Sequence, residues 1–155
     1  MSKLRCHLLI GPPASGKTSI AKILAPILKA EIISTDAIRE ELWGDEFYQG
    51  PWEEIEEILH ARLKKFVADD QPVLIDATHA MRPWRLALTQ GIKFNKPIEW
   101  IGWWIKTPKE VCLKWNQQRD RTIEEEVIHQ YSAALSHKDF SPNRSEGFTS
   151  FIFFD

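Results

Sequence analysis

The chain has few cysteines and no long hydrophobic run. Its two cysteines, Cys6 and Cys112, stand in apolar surroundings without the spacing of metal ligands, which argues against a structural metal site. No apolar stretch reaches the roughly 20 residues that a membrane-spanning helix needs, and the sequence shows no signal peptide pattern. From these absences we expect a reduced, cytoplasmic protein that does not enter a membrane.

An excess of positive charge is also missing. The chain has 20 Lys and Arg against 22 Asp and Glu, a net charge of −2 at pH 7. Such a surface does not attract polyanions as a whole, so any contact with nucleic acid must be local. At 155 residues and 43% apolar content, the chain is long enough for one α/β core and too short for two comfortable domains. We therefore treat residues 1–155 as a single domain.

One loop fits the pattern G-x-x-x-x-G-K-S/T of a P-loop, and its residues are Gly11-Pro12-Pro13-Ala14-Ser15-Gly16-Lys17-Thr18. A short apolar strand precedes the loop and helical spacing follows it, which is the context that the motif requires. We predict that the loop cradles the phosphates of ATP with its backbone N–H groups, helped by the positive end of the following helix. Lys17 should reach the β- and γ-phosphates, and the Thr18 hydroxyl should ligate Mg²⁺.

Aspartates follow two later apolar segments. Asp36 comes directly after the predicted strand at residues 30–35, and Arg39 follows three residues later on the same face of a short helix. Asp76 ends the segment Val73-Leu74-Ile75, as a Walker B aspartate does when it holds a magnesium-bound water. Ligands bind beyond the carboxyl ends of strands in open α/β sheets. Asp36 is therefore placed to accept a proton from a hydroxyl group during in-line phosphate transfer.

Three polar residues after Asp76 are candidates for substrate binding, namely Thr78, His79 and Arg82. For His79 two interpretations stay open: the imidazole contacts substrate or phosphate, or it caps the helix that follows. Arg82 has a similar alternative as a solvated charge on that helix, which we expect to run to about Lys93. The tryptophans of the next strand, at residues 98–105, are expected to pack in the core rather than to stack on nucleic-acid bases.

Two capping boxes predict a helical lid over residues 116–125. The first, at residues 107–110, begins a helix that ends near Gln118, and the second, at residues 122–125, begins the last helix. Arg119 and Arg121 lie in the short turn between them. We predict that a lid arginine closes on the γ-phosphate and that Arg121 also contacts the nucleotide. The alternative is that both arginines pair with surface glutamates, and which arginine is the main one stays open.

Five strands alternate with helices along the chain. The first helix is expected from Gly16 to Leu28 with a kink or early stop at Pro26. A long amphipathic helix follows Pro51, with an acidic solvated face, and a closing strand spans residues 148–154. This alternation predicts a three-layer αβα fold around a five-stranded parallel sheet.

Taken together, these motifs resemble the small P-loop kinases related to phage polynucleotide 5′-hydroxyl kinase. The resemblance covers nearly the whole chain, and it rests on the motif segments 11–18, 36–39, 75–78, 110–119 and 146–148. It implies the strand order 2-3-1-4-5. It also implies that Asp36 takes the proton of the accepting hydroxyl, that Arg39 contacts substrate phosphate and that Arg119 supports transfer. His79 replaces a frequent asparagine, and the lid lacks the usual glycine, so the resemblance does not define the identity of the substrate.

The leading hypothesis is an ATP- and Mg²⁺-dependent phosphotransferase with a hydroxyl acceptor, either a nucleic-acid 5′ end or a small molecule. No obligate protein partner is inferred. A GTPase is a weaker hypothesis, because the segment Asn95-Lys96-Pro97-Ile98 lacks the carboxylate that reads guanine. A regulatory module that binds ATP without turnover is the third. The combination of Lys17, Asp36 and Arg119 argues against it.

Overall fold

A computed structural model describes residues 3–120 and 122–154, so Arg121, one of the predicted lid arginines, lies outside the described residues. Five strands are present there: β1 (Leu4–Ile10), β2 (Glu31–Ser34), β3 (Val73–Asp76), β4 (Ile98–Ile105) and β5 (Phe148–Phe154). Six α-helices accompany them: α1 (Lys17–Leu28), α2 (Thr35–Trp43), α3 (Trp52–Ala68), α4 (Arg82–Thr89), α5 (Lys109–Gln117) and α6 (Glu125–Ser136). One turn of 3₁₀ helix, Arg144–Glu146, precedes β5.

The strands form one parallel sheet in the order β2-β3-β1-β4-β5, which confirms the predicted fold class and strand order. The register aligns the carboxyl ends of three strands, because Asp76 of β3 pairs with Leu9 of β1 and with Ser34 of β2. The loops that leave these strands therefore start side by side. The P-loop, Asp36 and Asp76 meet at one edge of the sheet for this reason.

Helices cover both faces of the sheet. On one face α1 packs Ala21 and Ala25 against Leu9, Leu74 and Ile105. On the other face α3 contributes a fully buried stripe at helical spacing, as its sequence period predicts. The stripe consists of Ile55, Leu59, Leu63 and Val67. Because both faces of the sheet are covered, the sequence of β3 is an uninterrupted apolar run rather than an alternation of apolar and polar residues.

The tryptophans of β4 pack within the fold, as the sequence predicted. Trp100 is buried, and Trp104 contacts Phe151 of β5 with the rings in an edge-on arrangement. On the opposite face Trp103 stacks on Phe154, and its indole N–H donates a hydrogen bond of 3.0 Å to Nδ1 of His7. These rings hold the last two strands together and lie outside the cleft described below.

The first helix ends at Leu28 as predicted, without the early stop considered at Pro26, whereas the fourth helix ends earlier than predicted. The first helix runs through Pro26 to Leu28 and ends at Lys29, whose φ of 53° is left-handed. The proline therefore removes a single helical hydrogen bond without ending the helix early. The fourth helix ends at Thr89 and not near Lys93, because the backbone N–H groups of Gln90 and Gly91 both turn back to the carbonyl of Leu86.

Both predicted capping boxes are wrong. Thr107 does not cap α5: its hydroxyl donates a hydrogen bond of 2.8 Å to the carbonyl of Ser15 and thereby ties the β4–α5 loop to the P-loop. Thr122 does not cap α6, which begins at Glu125. The physical reason is that Asn116 holds the backbone of Ile123, accepting from its N–H at 3.0 Å and donating to its carbonyl at 2.9 Å. This clamp keeps the segment before Glu125 out of the helix.

Candidate active site

The P-loop joins β1 to α1 and has two glycines with different structural reasons. At Gly11 a Cβ atom would lie 3.0 Å from the carbonyl oxygen of Ile105, so a side chain there would force the backbone of β4 to shift. Gly16 has room for a Cβ, but its φ of 93° is a left-handed conformation that other residues rarely adopt. The loop thus leads directly into the first turn of α1, whose N–H groups have no intrahelical partners.

Lys17 is buried at the start of α1. Its ammonium group donates a hydrogen bond of 2.9 Å to the carbonyl of Pro12, within the same loop. Burial lowers the pKa of Lys17, and the nearby carboxylates of Asp76 and Asp36 raise it in part. A desolvated cation held among carboxylates, next to free backbone N–H groups, is suited to bind a polyanion.

Thr18 and Asp76 bring two oxygen ligands together. The Thr18 hydroxyl donates a hydrogen bond of 2.9 Å to Oδ2 of Asp76. Burial raises the pKa of Asp76, while Lys17 and the Thr18 hydroxyl act in the opposite direction. Over residues 3–120 and 122–154 no cluster of three or more His, Cys, Asp and Glu side chains is arranged for a metal. A hydroxyl and one carboxylate fit Mg²⁺, which usually takes one or two protein ligands and completes its shell with water and phosphate.

Asp36 and Arg39 occupy the first turn of α2, which begins directly at the end of β2. The Ser34 hydroxyl accepts a hydrogen bond from the N–H of Ala37 and so caps this helix. A guanidinium nitrogen of Arg39 lies 2.9 Å from Oδ1 of Asp36. The Asp36 side chain is 51% exposed, whereas that of Arg39 is only 10% exposed. The ion pair therefore fixes a carboxylate that remains open to a ligand.

One cleft brings these groups together. It is lined by the P-loop and the start of α1, by the start of α2 and the end of β3, and by Arg119 and Ile123 from the segment between α5 and α6. The predicted site residues that line it are Pro13, Ala14, Ser15, Gly16, Lys17, Thr18, Asp36, Arg39, Asp76, Thr78 and Arg119. Phosphate-binding groups, a metal-binding pair and a carboxylate thus share one concave space, which is the arrangement of a phosphate-handling site.

The profile of the AAA_33 family, described as an AAA domain, matches residues 6–137. The chain belongs to this family. The AAA domain defined by the match begins in β1 and ends just after α6, so it contains every element that lines the cleft. A comparison with curated protein sequences finds no match.

Solved structures with the same fold include kinases for different substrates. A gluconokinase from Sinorhizobium meliloti 1021 has a TM-score of 0.63 and 15% identity over 99% of this chain and 83% of that one. The Pnkp1/Rnl/Hen1 RNA repair complex contains a chain with a TM-score of 0.70 and 18% identity, over 92% of this chain and 48% of that chain. Shikimate kinase from Acinetobacter baumannii scores 0.60 at 20% identity, covering 99% and 85%. The AAA domain therefore has the P-loop kinase fold.

Several predicted site residues lie outside the cleft of this AAA domain. Gly11 and Pro12 do not line the cleft, although the Pro12 carbonyl accepts the hydrogen bond of the Lys17 ammonium group. Arg82 turns away and places its Nε 2.9 Å from a carboxylate oxygen of Glu146. The same carboxylate pairs with Arg85, which is fully buried. Arg82 thus joins a buried ion cluster between α4 and the turn before β5, and the structure does not bring it to the cleft.

His79 is buried and adopts neither of the orientations considered from the sequence. The N-cap of α4 is Met81, without a side-chain bond, so the imidazole does not cap this helix. It is 1% exposed and packs edge-on against Trp52 with ring centroids 5.7 Å apart. Both ring nitrogens are buried without a hydrogen-bond partner among the described residues. Its φ of 42° is left-handed, and Arg85 donates a 2.9 Å hydrogen bond to its carbonyl.

We expect His79 to make folding sensitive to acid. Burial, with a smaller contribution from neighbouring positive charge on Arg85, lowers the pKa of His79 from 6.5 to about 3. In the unfolded chain His79 therefore binds a proton below about pH 6.5, whereas in the folded chain it does so only near pH 3. The contribution of His79 to the free energy of unfolding should not depend on pH above 6.5, and below it should reduce stability by up to ~1.4 kcal/mol per pH unit.

Urea unfolding of the wild type and of His79→Asn at pH 7.5, 6.0 and 5.0 measures this effect. Asparagine tolerates the positive φ but does not titrate, so the variant should lose less stability between pH 7.5 and 5.0 than the wild type. His137→Asn, at an exposed position after α6, serves as the matched control and should keep the wild-type slope. Equal slopes for wild type and His79→Asn would contradict the assignment.

Six residues that line the cleft were not predicted from the sequence: Ser19, Thr35, Phe47, Gln49, Ala77 and Ile123. Two of them, Phe47 and Gln49, come from a part of the chain to which the sequence assigned no role in the site. Both lie in the loop between α2 and α3, opposite Arg119. The Phe47 ring packs with Ala14 and Ile123, and the guanidinium of Arg119 lies 6.0 Å from its centroid. This loop therefore touches both the P-loop and the lid segment. An aromatic residue in a polar loop was the signal that could have indicated it.

None of the helices in the described part of the chain has both the length and the apolar character required to cross a membrane.

Proposed function

We propose that this protein is an ATP-dependent phosphotransferase that moves the γ-phosphate to the hydroxyl group of an acceptor. The observation that carries the proposal is the half-exposed carboxylate of Asp36, held by Arg39 in the same cleft as Lys17. A P-loop alone is compatible with hydrolysis or with simple binding. A fixed carboxylate on the acceptor side of the phosphate cradle supplies the additional group that transfer to an alcohol needs.

In the proposed reaction the acceptor oxygen forms a bond to the γ-phosphorus while the bond from that phosphorus to the β–γ bridging oxygen breaks. The acceptor proton passes to Asp36, and ADP leaves with the electron pair of the broken bond. Lys17 and the N–H groups at the start of α1 stabilise the negative charge on the phosphate oxygens. A Mg²⁺ ion at Thr18 and Asp76 would neutralise further phosphate charge. Arg119 approaches from the lid side of the cleft.

For the acceptor we propose the 5′-hydroxyl end of a nucleic acid, with a small metabolite as the alternative. The motif pattern supports a polynucleotide kinase, as does the similarity in fold to the RNA repair complex and to a fungal RNA kinase, which has a TM-score of 0.68 at 14% identity. The likeness to a gluconokinase and a shikimate kinase supports the alternative. Arg39 offers a buried guanidinium beside the proposed base, which suits an acceptor that carries a phosphate near its hydroxyl.

Guanine recognition finds no support in the fold. The segment that superficially resembles a guanine-reading motif, residues 95–98, precedes β4 and thus lies at the amino end of the sheet, opposite the P-loop. Its Lys96 is engaged by Asp70 at 2.6 Å. In a GTPase this segment would have to lie beside the bound nucleotide.

Transfer of labelled γ-phosphate from MgATP tests the proposal. An oligonucleotide with a 5′-hydroxyl should become labelled, whereas the same oligonucleotide with a 5′-phosphate should not. The apparent affinity for the oligonucleotide should fall as salt rises, since phosphate contacts release counterions. If label appears only on members of a mixed pool of sugars and other metabolites, the protein is still a phosphotransferase but its acceptor is a small molecule. Absence of transfer to either set would overturn the proposal.

A further inference from the structure

An exposed tryptophan lies directly beside the phosphate cradle. Trp115 is on α5 and is 44% exposed, although its side chain is large and apolar. A Cβ built on Gly16 would lie 3.6 Å from Cζ3 of the Trp115 ring. The indole therefore lies against the last glycine of the P-loop while much of it still faces solvent.

The strand order tells which end of a bound triphosphate lies near this indole. The P-loop leaves β1, and Asp36 follows β2, which is two strands away on one side of β1. Helix α5 follows β4, which is the neighbour of β1 on the other side. A triphosphate whose γ-phosphorus faces Asp36 therefore extends its nucleoside end away from β2, toward the side on which α5 lies.

Arg119 follows two residues after the end of α5, in a turn in which its backbone N–H donates to the carbonyl of Asn116 at 3.2 Å. Arg119 lines the cleft and contacts Phe47, whereas Trp115 is not part of the cleft lining. The end of α5 thus carries a flat apolar ring outside the cleft lining, and the turn that follows it brings a guanidinium into the cleft. The neighbouring Asn116 is buried and clamps Ile123, so this part of α5 is held rigidly against the lid segment.

Resting on the proposed function, we propose that Trp115 is the platform on which the base of the donor nucleotide stacks. An indole recognises the π-face that every nucleobase has, so the contact does not depend on the hydrogen-bonding edge of the base. Trp115 contributes affinity for ATP and GTP alike and leaves the binding of the phosphates to the loop. The donor nucleotide then binds through two surfaces, the P-loop for its phosphates and Trp115 for its base, and separate substitutions can test each of them.

Calorimetry with MgATP, MgGTP and magnesium tripolyphosphate tests this division. Trp115→Ala should weaken ATP and GTP binding by a similar factor of about tenfold, because a base loses its stacking partner. Tripolyphosphate has no base, so its affinity should not change. Trp115→Phe keeps a flat ring and should restore most of the nucleotide affinity. Phe153→Ala, which removes another exposed aromatic side chain at β5, is the matched control and should bind all three as the wild type does.

Two results would overturn the inference. Equal losses for tripolyphosphate and ATP would show that Trp115 supports the loop rather than the base, and unchanged ATP affinity would show that the base lies elsewhere. Neither result bears on phosphate transfer itself, which is measured separately with the wild-type protein. Failure of that transfer would refute the proposed function while the binding data still decide the role of Trp115.

Discussion

Replacing Lys17 with alanine is expected to lower kcat for phosphate transfer by about 10²- to 10³-fold, by analogy with the loss of one electrostatic donor to a developing charge. Lys17 is a buried cation in the lining of the cleft, and its ammonium group already lies within the P-loop, 2.9 Å from the Pro12 carbonyl. Its charge acts in a desolvated site, where it stabilises phosphate oxygens more strongly than a surface lysine does. The KM for ATP should also rise, since the charge contacts the ground state as well.

Initial rates at saturating MgATP and acceptor measure this effect, with circular dichroism to confirm that the variant is folded. Lys65→Ala is the matched control, because it removes the same charge from an exposed position in the last turn of α3. The control should keep the wild-type kcat. A Lys17→Ala protein that is folded and retains half of the wild-type kcat would refute the role of this lysine in transfer.

The convergence of Lys17, Asp36 and Asp76 was predictable because it depends on topology. Each residue follows an apolar strand, and parallel strands present their carboxyl ends at one edge of a sheet. Helix and strand identity, the strand order and the P-loop context all pointed to the same fold. The structure adds the register that places Asp76 between Ser34 and Leu9.

Residues whose positions depend on side-chain choices were not predictable in the same way. A threonine hydroxyl before a helix can accept from that helix or bond elsewhere, and Thr107 donates to the Ser15 carbonyl instead. The backbone of Ile123 is held by Asn116 from a different helix, which no local pattern indicates. Burial of His79 depends on Trp52 packing from α3, a contact between residues 27 positions apart in the chain. Local motifs therefore predicted most of the residues that meet in the cleft, but not the packing that buries His79 or the contacts that Thr107 and Asn116 make.

Asp36→Asn is expected to reduce phosphate transfer by about 10²- to 10⁴-fold, the range that a positioned general base contributes. The amide has nearly the same shape as the carboxylate but cannot take the acceptor proton. MgATP affinity should be retained, because the P-loop, Thr18 and Asp76 are unchanged. Transfer rates and calorimetry with MgATP together separate the two effects.

Glu40→Gln provides the matched control for Asp36→Asn, since it neutralises an exposed carboxylate in the same helix one turn later. It should leave transfer unaffected. The ion pair with Arg39 is a second function of Asp36 that the asparagine also weakens. Arg39→Ala distinguishes the two: if Asp36 acts only by positioning Arg39, both variants should raise the KM for acceptor to the same degree with little change in kcat. A loss of kcat in Asp36→Asn that exceeds the loss in Arg39→Ala would assign proton transfer to the carboxylate, and a wild-type rate in Asp36→Asn would exclude it.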